Sequence, residues 1–171
     1  MKRELENQDF CGKVRHNMAI EAVREYMKQW NAQDRILEFE VSSATVELAA
    51  QAVGCEPARI AKTLSFLVGD HPILIVTAGD RRVDNHKYKE VFHTKAKMLT
   101  PEQVVELVGH AVGGVCPFAV KPGVEVYLDE SLKQFATVFP AAGSSNSAIE
   151  VTMEELERFS GSTNWVDVCK E

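Results

Sequence analysis

The sequence predicts an α/β fold of the α+β type: a mixed, largely antiparallel, curved or barrel-like sheet with helices packed outside. Strand-like segments outnumber helical ones and mostly follow one another through short turns. Gly69-Asp70 sits between two apolar runs as a hairpin turn, since both residue types tolerate positive φ. Helices intervene at only some steps, which excludes a doubly wound parallel sheet.

The elements follow in order. Met18, Ala22, Tyr26 and Trp30 recur every fourth residue, with Val23 and Met27 widening the stripe, so a helix is expected from about Val14 to Trp30. A strand is expected over Ile36–Val41, with Leu37, Phe39 and Val41 on one face. Ser42-Ser43-Ala44-Thr45 then opens a second helix that stops at Gly54. Ala61–Val68 and Pro72–Thr77 form the hairpin, and a short helix covers about Asn85–Phe92. Thr100-Pro101-Glu102-Gln103 reads as a capping box with Pro in the first turn, for a helix ending near Gly109. Strands follow near Gly123–Leu128, Ala136–Phe139 and Ala148–Val151. Thr152 caps a last helix, and Trp165–Val168 is a final strand. There is no repeat, linker or low-complexity segment.

With 171 residues, 45% of them hydrophobic and 26% charged, the chain has enough material for one core without metals or disulfides. Its four cysteines (Cys11, Cys55, Cys116, Cys169) are scattered, which favours free thiols in a reducing cytoplasm over a zinc site. No apolar run is long enough for a membrane span, and the first residues lack the apolar stretch of a secretory signal. A net charge of −6 excludes a general coat for DNA or RNA. Charge is uneven, however. From Arg81 to Lys97 there are six Lys/Arg against two acids, +4 locally, leaving −10 on the rest. Such a run is either a solvated helix face or a pad for a polyanion, and charge alone does not separate them.

Lys62 stands inside the apolar run Arg59–Val68. Far from it in sequence lie two glycine turns, Val112-Gly113-Gly114-Val115-Cys116-Pro117-Phe118 and Phe139-Pro140-Ala141-Ala142-Gly143-Ser144-Ser145-Asn146. Glycine lets backbone N–H groups approach a ligand closely, so a cation facing such turns is equipment for holding an ester or a phosphate. Taken alone, each feature has a plainer use: a snorkelling lysine, or a tight turn before Pro117.

The motifs Ala61-Lys62-Thr63-Leu64, Val112-Gly113-Gly114-Val115-Cys116-Pro117 and Phe135–Phe139 through Gly143 resemble the YbaK/EbsC family of aminoacyl-tRNA deacylases, relatives of the editing domain of bacterial prolyl-tRNA synthetases. The resemblance covers about Glu38–Val168. It implies a helical extension over 1–34 and one editing domain over 35–171. It also implies a cytoplasmic, trans-acting hydrolase, without cofactor or metal, that cleaves the ester of mischarged tRNA bearing Ala, Ser, Thr or Cys. The alternative is a non-catalytic module that binds tRNA 3′ ends or aminoacyl compounds. Lys62, Gly113 and Gly114 are the expected catalytic residues. Ser43, Thr45, Thr63, Val115, Pro117, Gly143, Ser144 and Ser145 are expected to bind substrate. Arg81, Arg82, Lys87 and Lys89 are expected to receive the tRNA acceptor end, with a synthetase as a second partner and no membrane or DNA. Some members carry Gly-x-x-Gly-x-Asp in the third loop, where this chain reads Gly143-Ser144-Ser145-Asn146-Ser147-Ala148, without the acid.

Overall fold

The computed structural model describes residues 19–171. Residues 14–18 of the first predicted helix, Met18 among them, and Cys11 lie outside that span. Helix α1 occupies 19–27 and tightens into a 3-10 turn at Lys28–Trp30, ended by Asn31 in the left-handed region. Its buried seam is Ile20, Val23 and Met27, whereas Ala22 is exposed, so the expected stripe is rotated by part of a turn. Tyr26 and Trp30 flank the seam. The Tyr26 hydroxyl donates to the Phe159 carbonyl and the Trp30 ring lies 4.9 Å from that of Phe159. Phe159 belongs to α5 (Met153–Ser160), so α1 and α5 are locked together over the main core.

The central sheet has six strands. β2 (Ile60–Val68) and β3 (His71–Ala78) form the antiparallel hairpin across Gly69-Asp70, with only Gly69 at positive φ. β5 (Glu125–Asp129) runs parallel to β3, and β9 (Trp165–Val166) parallel to β5. On the other side β6 (Thr137–Pro140) runs parallel to β2, and β8 (Val151–Thr152) antiparallel to β6. Two antiparallel pairs complete the fold: β1 (Leu37–Glu38) with β7 (Ser147–Ala148), and β4 (Arg82–Val83) with β10 (Cys169–Lys170). The sheet curls into a half-barrel, mixed and with most paired residues antiparallel.

Strand alternation divides the core. Leu74 and Val76 face the large cluster that holds α1 and α5, while Ile73 and Ile75 face a second cluster built on Tyr88 and Phe66. Tyr88 comes from α3 (Asn85–Phe92), which starts where the Asp84 carboxylate accepts from the His86 and Lys87 N–H groups. α2 (Val46–Val53) is capped by Thr45 and ends at Gly54.

Several elements differ from the sequence expectation. The strand at 36–41 shrinks to two residues and inverts its phase, with Ile36 buried and Leu37 and Val41 exposed. The expected strand at 148–151 is two short ones, as is the expected final strand, because the chain bends to change partner. The helix expected over 101–109 has the predicted Thr100/Gln103 capping box over α4 (Pro101–Gln103). It then widens into a π-turn over Val104–Val108, closed by Gly109 N–H on the Val104 carbonyl.

Candidate functional site

A cleft of about 280 Å³ opens beside β2. Its cause is a gap in pairing. The Leu67 N–H donates to the Lys97 carbonyl (2.8 Å) and the Leu99 N–H to the Ser65 carbonyl (3.1 Å), so residues 65 and 67 turn their main-chain groups away from β3. Thr63 has the same parity and points its N–H and C=O the same way. But β6 pairs only as far as Ala61, and the 97–99 strap starts only at Ser65. Among the described residues nothing meets the Thr63 main chain on this edge. The Thr63 hydroxyl oxygen is buried and also lacks a partner. Buried polar groups without partners are rare, and an open strand edge inside a cleft offers a row of free donors and acceptors.

Gly113, Val115 and Val112 form another wall, with Ser43 and Thr45 beside them. Gly113 has φ +93°, and a Cβ there would press on the Ala44 and Ser145 Cβ atoms at 3.3 and 3.5 Å. Gly114 does a different job. A Cβ on it would stand 2.8 Å from the Ser144 main chain, and its N–H is already bonded to the Ala111 carbonyl at 3.0 Å. It is the joint at which the two glycine loops interlock, while Gly113 faces the cleft.

Of the residues expected at the site, Ser43, Thr45, Lys62, Thr63, Gly113 and Val115 line the cleft. Gly114, Pro117, Gly143, Ser144 and Ser145 do not line it. The Ser144 hydroxyl is buried, 2.7 Å from Ser147 Oγ and 2.9 Å from Asn146 Oδ1. The Ser145 carbonyl accepts from the Ser43 N–H at 2.6 Å, which ties the third loop to the start of α2. Gly143 packs on α1: a Cβ there would meet the Ala19 carbonyl oxygen at 2.8 Å. Thr45 accepts from the Leu48 N–H at 3.2 Å as helix cap and lines the cleft as well. Ala148, the last residue of the third-loop pattern singled out in the sequence, is buried in β7 opposite Leu37.

Lys62 forms part of the wall, yet its ammonium donates to the Arg81 carbonyl. Register explains this. Lys62 pairs with Thr77 and shares its face of β2 with Leu64 and Phe66, whereas Thr63 and Ser65 take the other face. Among the described residues no bond joins this ammonium to the Gly113 turn or the 143–145 loop.

Two of the four basic residues expected to receive the RNA are engaged by acids, and Arg82 and Lys89 have no ion-pair partner among the described residues. Lys87 binds Asp167 and the Cys169 carbonyl, each at 3.0 Å, and Arg81 lies 3.5 Å from Asp80 and 3.6 Å from Glu171. Arg82 is in β4 against Lys170, and Lys89 lies on α3. Sequence reasoning missed two features. One is the open edge at Thr63, invisible because it depends on where β6 stops. The other is the buried His110, whose Nε2 lies 2.7 Å from the Phe118 carbonyl and 3.5 Å from Cys116 Sγ, a spacing (residues 110, 116 and 118) that local pattern does not single out.

The aminoacyl-tRNA editing domain profile matches residues 40–159. The chain is 55% identical to the uncharacterized protein YwhH of Bacillus subtilis (strain 168) over 155 residues, 90% of this chain and 99% of that protein. It is 30% identical to the proline–tRNA ligase of Aquifex aeolicus (strain VF5) over 90 residues, 52% of this chain and only 16% of the ligase. A crystal structure presented as a candidate trans-editing enzyme for prolyl tRNA synthetase superposes with a TM-score of 0.81 at 29% identity, covering 90% of this chain and 98% of that one. The hypothetical protein APE2540 superposes with a TM-score of 0.74 at 28% identity, over 85% and 99% of the two chains. With the half-barrel, the lysine strand and the interlocked glycine loops in place, the chain belongs to the aminoacyl-tRNA editing domain family.

Proposed function

We propose that this protein is a free-standing cytoplasmic deacylase that hydrolyses the ester between a small amino acid and the wrong tRNA. The observation that carries the reading is the unpaired Thr63 edge facing the Gly113 turn across a cleft of about 280 Å³. That volume is at the low end for small-molecule pockets, which supports Ala, Ser, Thr or Cys over larger side chains. The apolar walls at Val46, Leu99 and Val104 favour a compact, weakly polar group.

In hydrolysis a water oxygen bonds to the ester carbonyl carbon, the bond from that carbon to the ribose oxygen breaks, and the water's proton ends on the ribose hydroxyl. Such an ester is already activated, so the protein has only to place the water and stabilise the oxyanion. The Thr63 N–H on the open edge and the backbone of the Gly113 turn supply fixed donors at a carbonyl oxygen between them. Losing one such donor typically costs about 3–4 kcal/mol of barrier. The Thr63 carbonyl and hydroxyl remain for the α-ammonium group or a ribose hydroxyl. Lys62 exchanges its bond to the Arg81 carbonyl for the terminal phosphate or the ester oxygen. Releasing that charged bond costs about 1.5–3 kcal/mol, which a phosphate contact offsets. Covalent catalysis by Lys62 is disfavoured, since an acylated amine would be a stable amide.

The test is deacylation of a panel of mischarged tRNAs by purified protein. The expected result is turnover of small aminoacyl groups and little of bulky ones such as Phe. Binding of the same tRNAs without hydrolysis would instead identify a non-catalytic module.

A further inference from the structure

A substrate that ends in the cleft must also be held outside it. The chain from Thr94 to Leu99 is pinned to β2 by the Lys97 and Leu99 main-chain bonds and leads straight to the cleft wall at Met98 and Leu99. Lys95 and Lys97 are exposed on it and, among the described residues, have no ion-pair partner. Arg81 and Lys87 are paired with acids, and Lys170 lies 3.8 Å from Asp84. Arg82 and Lys89 are exposed and, among the described residues, also without an ion-pair partner, but no residue of 81–89 lines the cleft, whereas the strap enters its wall. At the mouth of the same cleft Met98 is 59% exposed and Val112 62%, two large apolar side chains left open to water. Apolar surface at the mouth of a polar-edged cleft suits the flat face of an unpaired base, and free lysines beside it suit the phosphates that precede that base.

We infer that the Lys95–Met98 strap, rather than the Arg81–Lys89 segment, receives the single-stranded 3′ end of the RNA. Lys95 and Lys97 take its backbone phosphates, and the terminal base rests on Met98 and Val112. This rests on the proposed deacylase reading for the identity of the ligand, but binding can be measured without hydrolysis. The probe is an uncharged minihelix of a tRNA acceptor stem with its single-stranded 3′ end, titrated by fluorescence anisotropy over a range of salt. K95E/K97E is expected to weaken binding at least about tenfold at low salt and to reduce the slope of log K against log salt by about 1.5. R82E/K89E should change affinity less than about twofold. Deleting the terminal nucleoside from the probe should weaken binding to the wild type more than to M98S/V112S. Circular dichroism checks that each variant is folded. Unchanged binding by K95E/K97E, an equal loss in R82E/K89E, or no binding by the wild type overturns the inference. Binding through the strap with no hydrolysis of any mischarged tRNA would instead refute the deacylase reading alone.

Discussion

At the residue scale, Thr63 and Gly114 separate function from packing. The Thr63 hydroxyl has no partner among the described residues, so replacing it with a methyl removes no hydrogen bond seen there. Thr63→Val is therefore expected to leave stability unchanged or raise it by up to about 1 kcal/mol, while lowering kcat/KM for deacylation about tenfold. Denaturant unfolding and steady-state kinetics on one preparation check both; a destabilised variant with full activity would make Thr63 a structural residue. Gly114→Ala is the converse. Its Cβ would stand 2.8 Å from the Ser144 main chain, which cannot swing aside as a side-chain tip can. The expected cost is about 1–3 kcal/mol, with Tm lower by roughly 3–10 °C. Lys62 was legible as an anomaly, a cation in an apolar run. Its engagement by the Arg81 carbonyl was not, because that bond spans the hairpin and the turn beyond it.

At the element scale, caps and turns were legible because their chemistry is local. Thr45, Thr100 and Thr152 cap as expected, and Gly54 ends its helix in the left-handed region. The phase of β1 and the splitting of the 148–151 strand were not legible, since both depend on which distant strand comes alongside. α5 gives an element-level prediction. The Glu155 side chain closes the capping box on the Thr152 N–H and receives the Arg35 guanidinium, and the Arg35 bond chiefly holds its carboxyl down to about 2 from the ordinary 4.5. A carboxyl lowered in the folded state contributes stability that is present above pH 4.5 and lost as pH falls toward 2. Glu155→Gln keeps the box but not the charge. It should lower stability at pH 7 by about 1 kcal/mol and unfold with a weaker dependence on pH between about 4.5 and 2 than the wild type. Parallel pH-unfolding curves for the two proteins would contradict this.

At the scale of the whole molecule, the half-barrel places a strand edge where it can be used. β2 is paired on both sides at its start and near its end, but in the middle only β3 meets it, and the Gly113 turn lines the cleft at the break. The curved mixed sheet was legible from the order and spacing of its segments, and the convergence of the glycine loops from their family pattern. The break itself was not, since it arises from the separate ends of β6 and the 97–99 strap. Among the described residues no helix is long and apolar enough to cross a membrane. The basic segment shows the limit of counting charges: its +4 is real in sequence, yet two of its six cations, Arg81 and Lys87, meet acids that folding brings from the C-terminal end.

The central claim is that Lys62, whose ammonium donates to the Arg81 carbonyl, serves ester hydrolysis and not the fold. The most direct measurement is a single-turnover time course on a tRNA mischarged with a small amino acid, comparing wild type with Lys62→Ala alongside thermal unfolding of both. The account predicts that the variant loses at least about 100-fold in rate, the scale of removing one preorganised transition-state contact, with Tm nearly unchanged. A variant that hydrolyses at the wild-type rate, or one that loses its rate only because it unfolds, would contradict it.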